Sequence, residues 1–273
     1  MKTILVLVDF SRAALNAVNY AVEIAKTCKA SLLLLYVCNL PVNFTQVPVS
    51  LTMDDDRLNA EAELVKLRVK IHRKTGGGLS IFSEVRNGNF FSEVRLFCEH
   101  VRPYLVIMGS QGGSRAEKLV WGGHTLYEMR HLPWTLLAVP YRARFSSIKK
   151  VALAWDFQNP AGQLPVQKID QLISDLGAGL HMVCAGWEDE DAFRSGSTAL
   201  SARAGFHRLA PVFHYLENKR TSKSIIAFVE KNRFDLLLIL PGAHSLLQDP
   251  FFSGHTKKFV LHCSVPVVAL HAQ

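Results

Sequence analysis

The chain has 273 residues, of which 49% are apolar, and its formal net charge is +8. This length suits two ordinary domains or one large one with a substantial core, and no apolar run approaches the roughly 18–20 residues that span a bilayer. The positive charge favours anionic partners such as nucleotides, nucleic acids or acidic surfaces. The five cysteines are scattered and never form a C-x-x-C pair, which argues against a disulfide framework and against a cysteine-based zinc site.

The first predicted element is the run ILVLVDFS at residues 4–11, which begins in the manner of a signal peptide. Its apolar part stops at Asp9, Arg12 follows, and no small-residue cleavage site stands in the usual place. We therefore interpret the run as the buried first strand of a cytoplasmic protein.

A helical pattern from Ala14 to Lys26 follows, and the run SLLLLYV predicts a second strand. Residues 38–55 are less regular and are interpreted as loops or extra elements, while KTGGGLS at 74–80 predicts a flexible turn. Further on, FFSEVRLFCEHVRPYLVIMG predicts an amphipathic helix that feeds an apolar strand ending in glycine. The run WTLLAVP predicts the last strand of this half.

The second half of the chain repeats this pattern. VALAWDFQ matches the opening run, with Asp156 and Phe157 in place of Asp9 and Phe10. The segments VQKIDQLISDLGA, LHMVCAG and SKSIIAFVEKNRFDLLLILPG follow in the same order as their counterparts, and VPVVAL corresponds to WTLLAVP. Such internal repetition predicts two copies of one structural unit.

Short apolar runs alternate with helical patterns in both halves. Continuous apolar runs fit parallel strands covered on both faces, and strands joined through helices form right-handed β-α-β units. The predicted fold class is α/β, with two tandem five-stranded, mostly parallel sheets flanked by helices, in domains 1–141 and 149–273. The boundary falls in the basic run RARFSSIKK, and residues 186–207 form a second, less regular stretch.

Glycines cluster within VIMGSQGGSRAEKLVWGGHT, residues 106–125. Gly109 ends the predicted strand, Gly112 follows, and Gly122 and Gly123 precede a helical pattern. Turn chemistry alone can explain them, since glycine reaches positive φ at little steric cost. The alternative is that bare backbone approaches a bulky anion, because a helix N-terminus attracts anions and ligands bind beyond the carboxyl ends of parallel strands.

Two common nucleotide motifs do not occur. There is no G-x-x-x-x-G-K-[S/T], which excludes a P-loop protein, and no G-x-G-x-x-G after the first strand, which argues against a Rossmann dehydrogenase. The spacing Gly109-x2-Gly112-x9-Gly122 resembles the universal stress protein family, whose nucleotide-binding members carry G-x2-G-x9-G-[S/T]. ILVLVDFS, YLVIMG and WTLLAVP resemble that family's first, fourth and fifth strands. The resemblance covers both halves and implies a tandem member with a Rossmann-like fold of the adenine nucleotide α-hydrolase type.

The resemblance implies an adenine nucleotide site in the first half. The candidate residues are Asp9, Val37, Met108, Gly109, Gly112, Arg115, Gly122, Gly123, His124 and Thr125. By the family's pattern, Asp9 meets the adenine edge, the backbone of Val37 lines the base, and Met108 and Gly109 lie near the ribose. The later glycines offer backbone N–H groups to the phosphates. Gly123 stands where the family has Ser or Thr, so one hydroxyl contact is lost while the backbone cradle remains.

The second half departs further from the family's pattern. The equivalent positions are Asp156, Gly242, Ser245, Ser253 and Gly254. A serine replaces the second glycine, and seven residues rather than nine separate it from the next small residue. A proline also replaces Met108. We predict that this half binds nucleotide poorly or binds another ligand.

Several of these residues have a simpler interpretation. Asp9 and Asp156 each stand before a helical pattern, where aspartate is a common N-cap. His124 and His255 recur in a shared GHT motif, but each stands alone, which favours a structural or phosphate-side role over metal binding. Arg115 is the candidate for the γ-phosphate, and its alternative is a solvated loop residue.

The sequence leaves two main functions open. The first is a stress-response regulator or sensor that binds ATP, with or without Mg²⁺, in the first half and hydrolyses it slowly or not at all, since no catalytic residue stands out. The second is a nucleotide-free protein-interaction module. Nucleic-acid binding is disfavoured because basic residues interleaved with aromatics are lacking. The resemblance also implies an intramolecular pseudo-dimer through the fifth strands, and a homodimer stays open.

Overall fold

The computed structural model describes residues 2–38, 49–110, 132–154, 164–185, 205–216, 222–240 and 258–271. The strands are β1 (Thr3–Leu7), β2 (Ser31–Cys38), β3 (Ile81–Asn87), β4 (Leu105–Ser110), β5 (Leu136–Pro140), β6 (Lys150–Ala154), β7 (Gly179–Ala185), β8 (Val212–Leu216), β9 (Leu236–Ile239) and β10 (Val267–Ala269). The helices with described ends are α1 (Arg12–Thr27), α2 (Val49–Lys74), α3 (Phe90–Val101), α4 (Val166–Leu176) and α5 (Ser222–Lys231).

The ten strands form one sheet in the order β3-β2-β1-β4-β5-β10-β9-β6-β7-β8. Neighbouring strands pair in parallel throughout the described sheet, except β5 and β10, which are antiparallel. The predicted α/β class with a mostly parallel sheet and flanking helices is therefore confirmed. The two sets of five strands share one continuous sheet, which they form through the fifth strand of each half.

The two sets of strands meet at β5 and β10, where Ala138 pairs with Val267 and Leu136 pairs with Ala269. Because this pair is antiparallel, the strands of the two halves run in opposite directions. The edge at which the strands of one half end is therefore the edge at which those of the other half begin. A ligand site at the strand ends of one half would lie far from the equivalent site of the other half.

Both faces of the sheet are covered, which explains the continuous apolar runs of its central strands. Ile4, Leu5 and Val6 of β1 are fully buried although successive side chains point to opposite faces. Helices α1, α2 and α4 pack on one face and α3 and α5 on the other. Each core cluster contains residues from both halves of the chain.

Helix α1 begins earlier than the apolar periodicity predicts, at Arg12, because Ser11 caps it by accepting a hydrogen bond from Ala14 N at 3.1 Å. It ends at Thr27. Helix α2 begins at Val49, so the last part of the irregular stretch 38–55 is helical.

A polar cluster joins the halves beside the main sheet contact. The Tyr104 hydroxyl donates to Asp175 Oδ2 at 2.8 Å, and Lys2 Nζ contacts the other oxygen of the same carboxylate at 2.5 Å. Burial, followed by the hydrogen bond to Asp175, raises the pKa of Tyr104. The phenol thus stays protonated and donates at all physiological pH values.

Candidate functional site

The candidate site lies where β1, β2 and β4 end. Strand β1 stands between β2 and β4, and the chain leaves β1 through α1 to form β2, on one side of β1 only. A crevice opens at such a switch point in parallel α/β sheets because neighbouring connections diverge to opposite faces. The sequence analysis predicted the adenine site at this edge of the sheet.

Asp9 follows β1 closely and is half-buried. Its Oδ1 accepts a hydrogen bond from Ser11 N at 3.0 Å. The N-cap of α1 is Ser11, so the capping role considered for Asp9 belongs to its neighbour. Among the described residues, Asp9 Oδ2 has no hydrogen-bond partner, and this oxygen can accept a bond from a ligand.

Phe10 turns the chain from β1 into α1 with a φ of 60°. A side chain in this left-handed region costs conformational energy, and such residues concentrate at functional sites. Its ring stacks on Tyr36 of β2, with 5.2 Å between the centroids. This contact fixes the turn that presents the Asp9 carboxylate.

Gly109 is required by the packing of α1 on β4. A Cβ atom at this position would lie 2.6 Å from the carbonyl carbon of Ala13 and 2.9 Å from Ala14 N. Both are backbone atoms of α1, so no change of side-chain rotamer can make room for the added Cβ. The glycine therefore has a structural reason that does not depend on the ribose contact implied by the resemblance.

The end of β4 also carries a buried polar group. Ser110 is 1% exposed, and its Oγ has no hydrogen-bond partner among the described residues. Strands β1 and β4 pair Val6 with Ile107, and this register brings Asp9 to the level of Ser110. An unpaired buried hydroxyl is costly, so this position favours a ligand or another polar partner.

A small cavity of about 20 Å³ lies between these elements. It is lined by Leu7, Val8, Asp9, Ser11, Ala13, Ala14, Phe90, Met108 and Gly109. This volume holds about one water molecule. The described residues thus form the floor of a site, and a nucleotide would have to lie above it.

Val37, the position assigned to the base, lies near the end of β2 and is half-buried. Val8 N donates to Leu35 O at 2.9 Å, so the β1–β2 pairing extends to within two residues of Val37. The structure therefore places Asp9, Val37, Met108 and Gly109 on neighbouring strand ends. The remaining candidates lie outside the described residues: Gly112, Arg115, Gly122, Gly123, His124, Thr125, Asp156, Gly242, Ser245, Ser253 and Gly254.

Sequence reasoning missed Phe10, Ser11 and Tyr36 as parts of this edge. A serine before a helical pattern is a recognised capping signal and could have identified Ser11. No sequence signal marks the left-handed backbone of Phe10 or the burial of Ser110.

The part of the chain that the structure describes contains no group of three or more His, Cys, Asp or Glu side chains suited to a metal ion. None of the described helices combines the length and apolar character needed to cross a membrane.

The sequence model of the universal stress protein family matches residues 1–140, which include all the described strand ends of this site. The chain belongs to the universal stress protein family. Among curated protein sequences, none matches it significantly.

Solved structures similar to this chain include that of a universal stress protein from Archaeoglobus fulgidus. Its TM-score is 0.73 and its identity 17%, and the match covers 98% of both chains. The cytoplasmic domain of a prokaryotic cation chloride cotransporter has a TM-score of 0.54 and 12% identity, over 98% of this chain and 94% of that chain. A family protein from Arabidopsis thaliana with AMP bound covers 51% of this chain and 92% of its own, with a TM-score of 0.37 and 18% identity. The two full-length similarities show a shared fold.

Proposed function

We propose that this universal stress protein binds ATP at the strand ends of its first half and acts as a stress-response regulator or sensor. The observation that carries the proposal is the pair of polar groups at the switch point. Asp9 lies just past the end of β1, and Ser110 ends the adjacent strand β4. Neither Asp9 Oδ2 nor Ser110 Oγ has a hydrogen-bond partner among the described residues. A carboxylate oxygen at this edge suits the exocyclic amino group of adenine, which is a hydrogen-bond donor.

The proposed site extends from Asp9 and Val37 to the glycine loop. Gly112, Gly122 and Gly123 supply backbone N–H groups to the phosphates, and Arg115 and Thr125 contribute from the same loop. Mg²⁺ accompanies the triphosphate. The support for this part is the glycine spacing, together with the described end of β4 at Ser110, from which the loop leaves.

The two halves, domains 1–141 and 149–273, act as a pseudo-dimer in this proposal. The antiparallel pairing of β5 with β10 and the hydrogen bond from Tyr104 to Asp175 support it. Only the first half keeps the family's loop spacing, so one nucleotide is expected per chain.

The test uses Asp9→Asn. The asparagine oxygen still accepts a hydrogen bond from Ser11 N. An amide NH2 group, which is a donor, replaces the second carboxylate oxygen and faces the base. A hydrogen bond to a charged group contributes roughly 1.5–3 kcal/mol, so ATP affinity should fall about ten- to a hundredfold. Guanine presents a carbonyl oxygen where adenine has its amino group, so GTP affinity should rise. Calorimetric titration of both nucleotides measures this.

The matched control is Glu63→Gln, which removes a carboxylate from the exposed surface of α2. It should leave both affinities unchanged. If Asp9→Asn lowers ATP and GTP affinity equally, the adenine assignment of Asp9 is wrong. Turnover of ATP above about 1 s⁻¹, the low end of typical enzymes, would contradict the sensor function.

A nucleotide-free interaction module is the second candidate. Two observations favour it: the packing reason for Gly109 and the small volume of the cavity beside Asp9. Denaturing the purified chain and assaying the supernatant for adenine nucleotides separates the candidates. Absence of nucleotide, combined with no calorimetric ATP binding, would exclude the first candidate.

A further inference from the structure

Helices α1 and α4 occupy equivalent places in the two halves, and each faces the opposite half across a groove. Both end in the same motif, in which Ala30 N donates to Ala25 O and Ala178 N donates to Ile173 O, each at 2.9–3.1 Å. This alignment makes Lys168 of α4 the equivalent of Tyr20 of α1. The grooves are thus comparable position by position.

The first groove is crossed by the segment that links the halves. Asn16 Nδ2 donates to the carbonyl oxygens of Pro140 and Ala143, each at 2.9 Å. The Phe145 ring then packs edge-on against Tyr20, with 5.0 Å between centroids. An aromatic ring and a pair of backbone hydrogen bonds therefore occupy part of the face of α1 that looks toward this groove. Tyr20 and Phe145 also line a smaller cavity of about 420 Å³ beside them.

The second groove holds a cavity of about 600 Å³ between α4 and the starts of β4 and β5. The first half contributes Arg102, Tyr104 and Trp134 to its lining, and α4 contributes Lys168 and Leu172. Among the described residues, none takes the place that Phe145 has in the first groove. The volume lies within the range of small-molecule pockets, roughly 300–1,000 Å³.

The charges around this cavity favour an anion. Arg102 has no carboxylate partner among the described residues. Lys168 Nζ donates to the carbonyl oxygen of His271 at 3.2 Å, and burial lowers the pKa of this lysine. The one carboxylate in the lining, Glu99, already pairs with Arg95 Nε at 3.0 Å. Two cations therefore face the cavity without a counter-charge of their own.

The uncharged part of the lining favours an aromatic ring. Trp134 is half-buried. Tyr104 also lines the cavity; its hydroxyl is bonded to Asp175, and Lys2 Nζ lies over its ring, 5.1 Å from the centroid. Aromatic rings pack well on such walls, and a guanidinium or ammonium group pairs with a planar acid group.

We propose that this second groove binds a small aromatic acid, with its ring against Trp134 and Tyr104 and its acid group held by Arg102 and Lys168. The ligand bridges the two halves, because the residues that hold it come from both. The site lies where the first half's strands begin, at the opposite edge of the sheet from Asp9, so it is independent of nucleotide binding.

The test titrates the full chain with anilinonaphthalene sulfonate, a fluorescent aromatic acid, and with the uncharged N-phenylnaphthylamine, which has the same rings. The sulfonate should bind with one-to-one stoichiometry and more tightly than the neutral dye. A saturating concentration of ATP should not displace it. Displacement by ATP would place the dye in the nucleotide site and overturn the proposal.

Two substitutions remove the cations separately. Lys168→Met keeps the length of the side chain, and Arg102→Asn suits the left-handed backbone at that position, where φ is 49°. Each should weaken sulfonate binding about five- to tenfold and leave the neutral dye unaffected. The two variants are independent. If one of them fails to fold, the other still tests whether the groove holds the acid group.

The matched control is Arg233→Asn. Arg233 has the same place in the second half, with a φ of 53°, and it does not line the cavity. This variant should bind both dyes like the parent chain. Equal losses in Arg102→Asn and Arg233→Asn, or unchanged sulfonate binding in both groove variants, would show that the groove does not hold the acid group.

Discussion

The two halves share one backbone plan and differ at the point where the chain leaves the first strand. In the first half, β1 ends at Leu7 and α1 begins at Arg12, with the capping hydroxyl of Ser11 between them. In the second half, β6 ends at Ala154 and α4 begins only at Val166, without a side-chain cap. The tight strand-to-helix turn that presents Asp9 therefore has no counterpart of equal length in the second half.

This difference shows that the sheet and the ligand site are separable. Strand order and the pairing of the central strands are the same in both halves, because buried strands tolerate little change. The crossover at the strand end contributes little to the core, so it can be lengthened without loss of the fold. Substitutions at equivalent positions test how far this separation holds.

The largest expected effect concerns the contact between α1 and β4. Gly109→Ala introduces a Cβ atom 2.6 Å from the backbone of Ala13. Because neither backbone can yield locally, the free energy of unfolding should fall by about 3 kcal/mol, at the upper end of overpacking effects. Urea denaturation of the full chain measures it.

Gly78→Ala is the control, since its added Cβ would lie 3.4 Å from Thr75 O, an ordinary contact. It should change stability by less than about 0.5 kcal/mol, as surface substitutions usually do. A loss at Gly109 no larger than this would mean that α1 and β4 are less closely packed than described.

A smaller effect is expected where α1 and α4 end. The left-handed residue after each helix is Lys29 in the first half, with φ 51°, and Gly177 in the second, with φ 63°. A side chain in this region costs roughly 1–2 kcal/mol relative to glycine. Lys29→Gly should therefore raise the free energy of unfolding by about 1 kcal/mol, and Gly177→Lys should lower it by about the same amount.

No atom lies within 4 Å of a Cβ added at Gly177, so only the backbone conformation opposes the substitution. The control is Lys26→Gly inside the last turn of α1, which should destabilise by about 1 kcal/mol. If both lysine-to-glycine changes destabilise, the left-handed conformation of Lys29 is not what limits stability there.

The sequence predicted the central strands well and the edge strands poorly. Strands β1 and β4 are buried on both faces and read as continuous apolar runs. Strand β3 has a neighbour on one side only, carries Ser83, Glu84 and Arg86 among its apolar residues, and shows no buried residue. Such mixed sequences resemble loops, so the sequence analysis did not locate β3 and β8. The number of strands was nevertheless predicted correctly.

The candidate site was predictable to a similar degree. Its position followed from strand ends and glycine spacing, and Asp9 and Gly109 do lie at the ends of neighbouring strands. The reason for Gly109 was not predictable, because the backbone it touches is far away in sequence, at Ala13. The groove between the halves was equally hidden, since its lining comes from three separate segments.

The smallest expected effect is a pH dependence confined to the second half. His181 of β7 and His214 of β8 share a hydrogen bond of 2.9 Å, where the first half has Leu33 and Glu84. Burial holds the pKa of each ring below its usual 6.5. The charges of His214 and then Lys150 lower the pKa of His181 further, and the charge of Lys150 does so for His214. The unfolded chain therefore takes up protons first as the pH falls through about 6.5.

Stability from this pair is fully present above about pH 7 and is lost as the pH falls through 6.5 toward the lower pKa values of the folded chain. The loss should be less than about 1 kcal/mol, because solvent screens charges on partly exposed rings. Replacing His181 by Leu and His214 by Gln together should flatten the difference between urea denaturation at neutral and at mildly acidic pH. His100→Gln on the exposed surface of α3 should leave that difference unchanged, and an equal flattening there would remove the pair as its source.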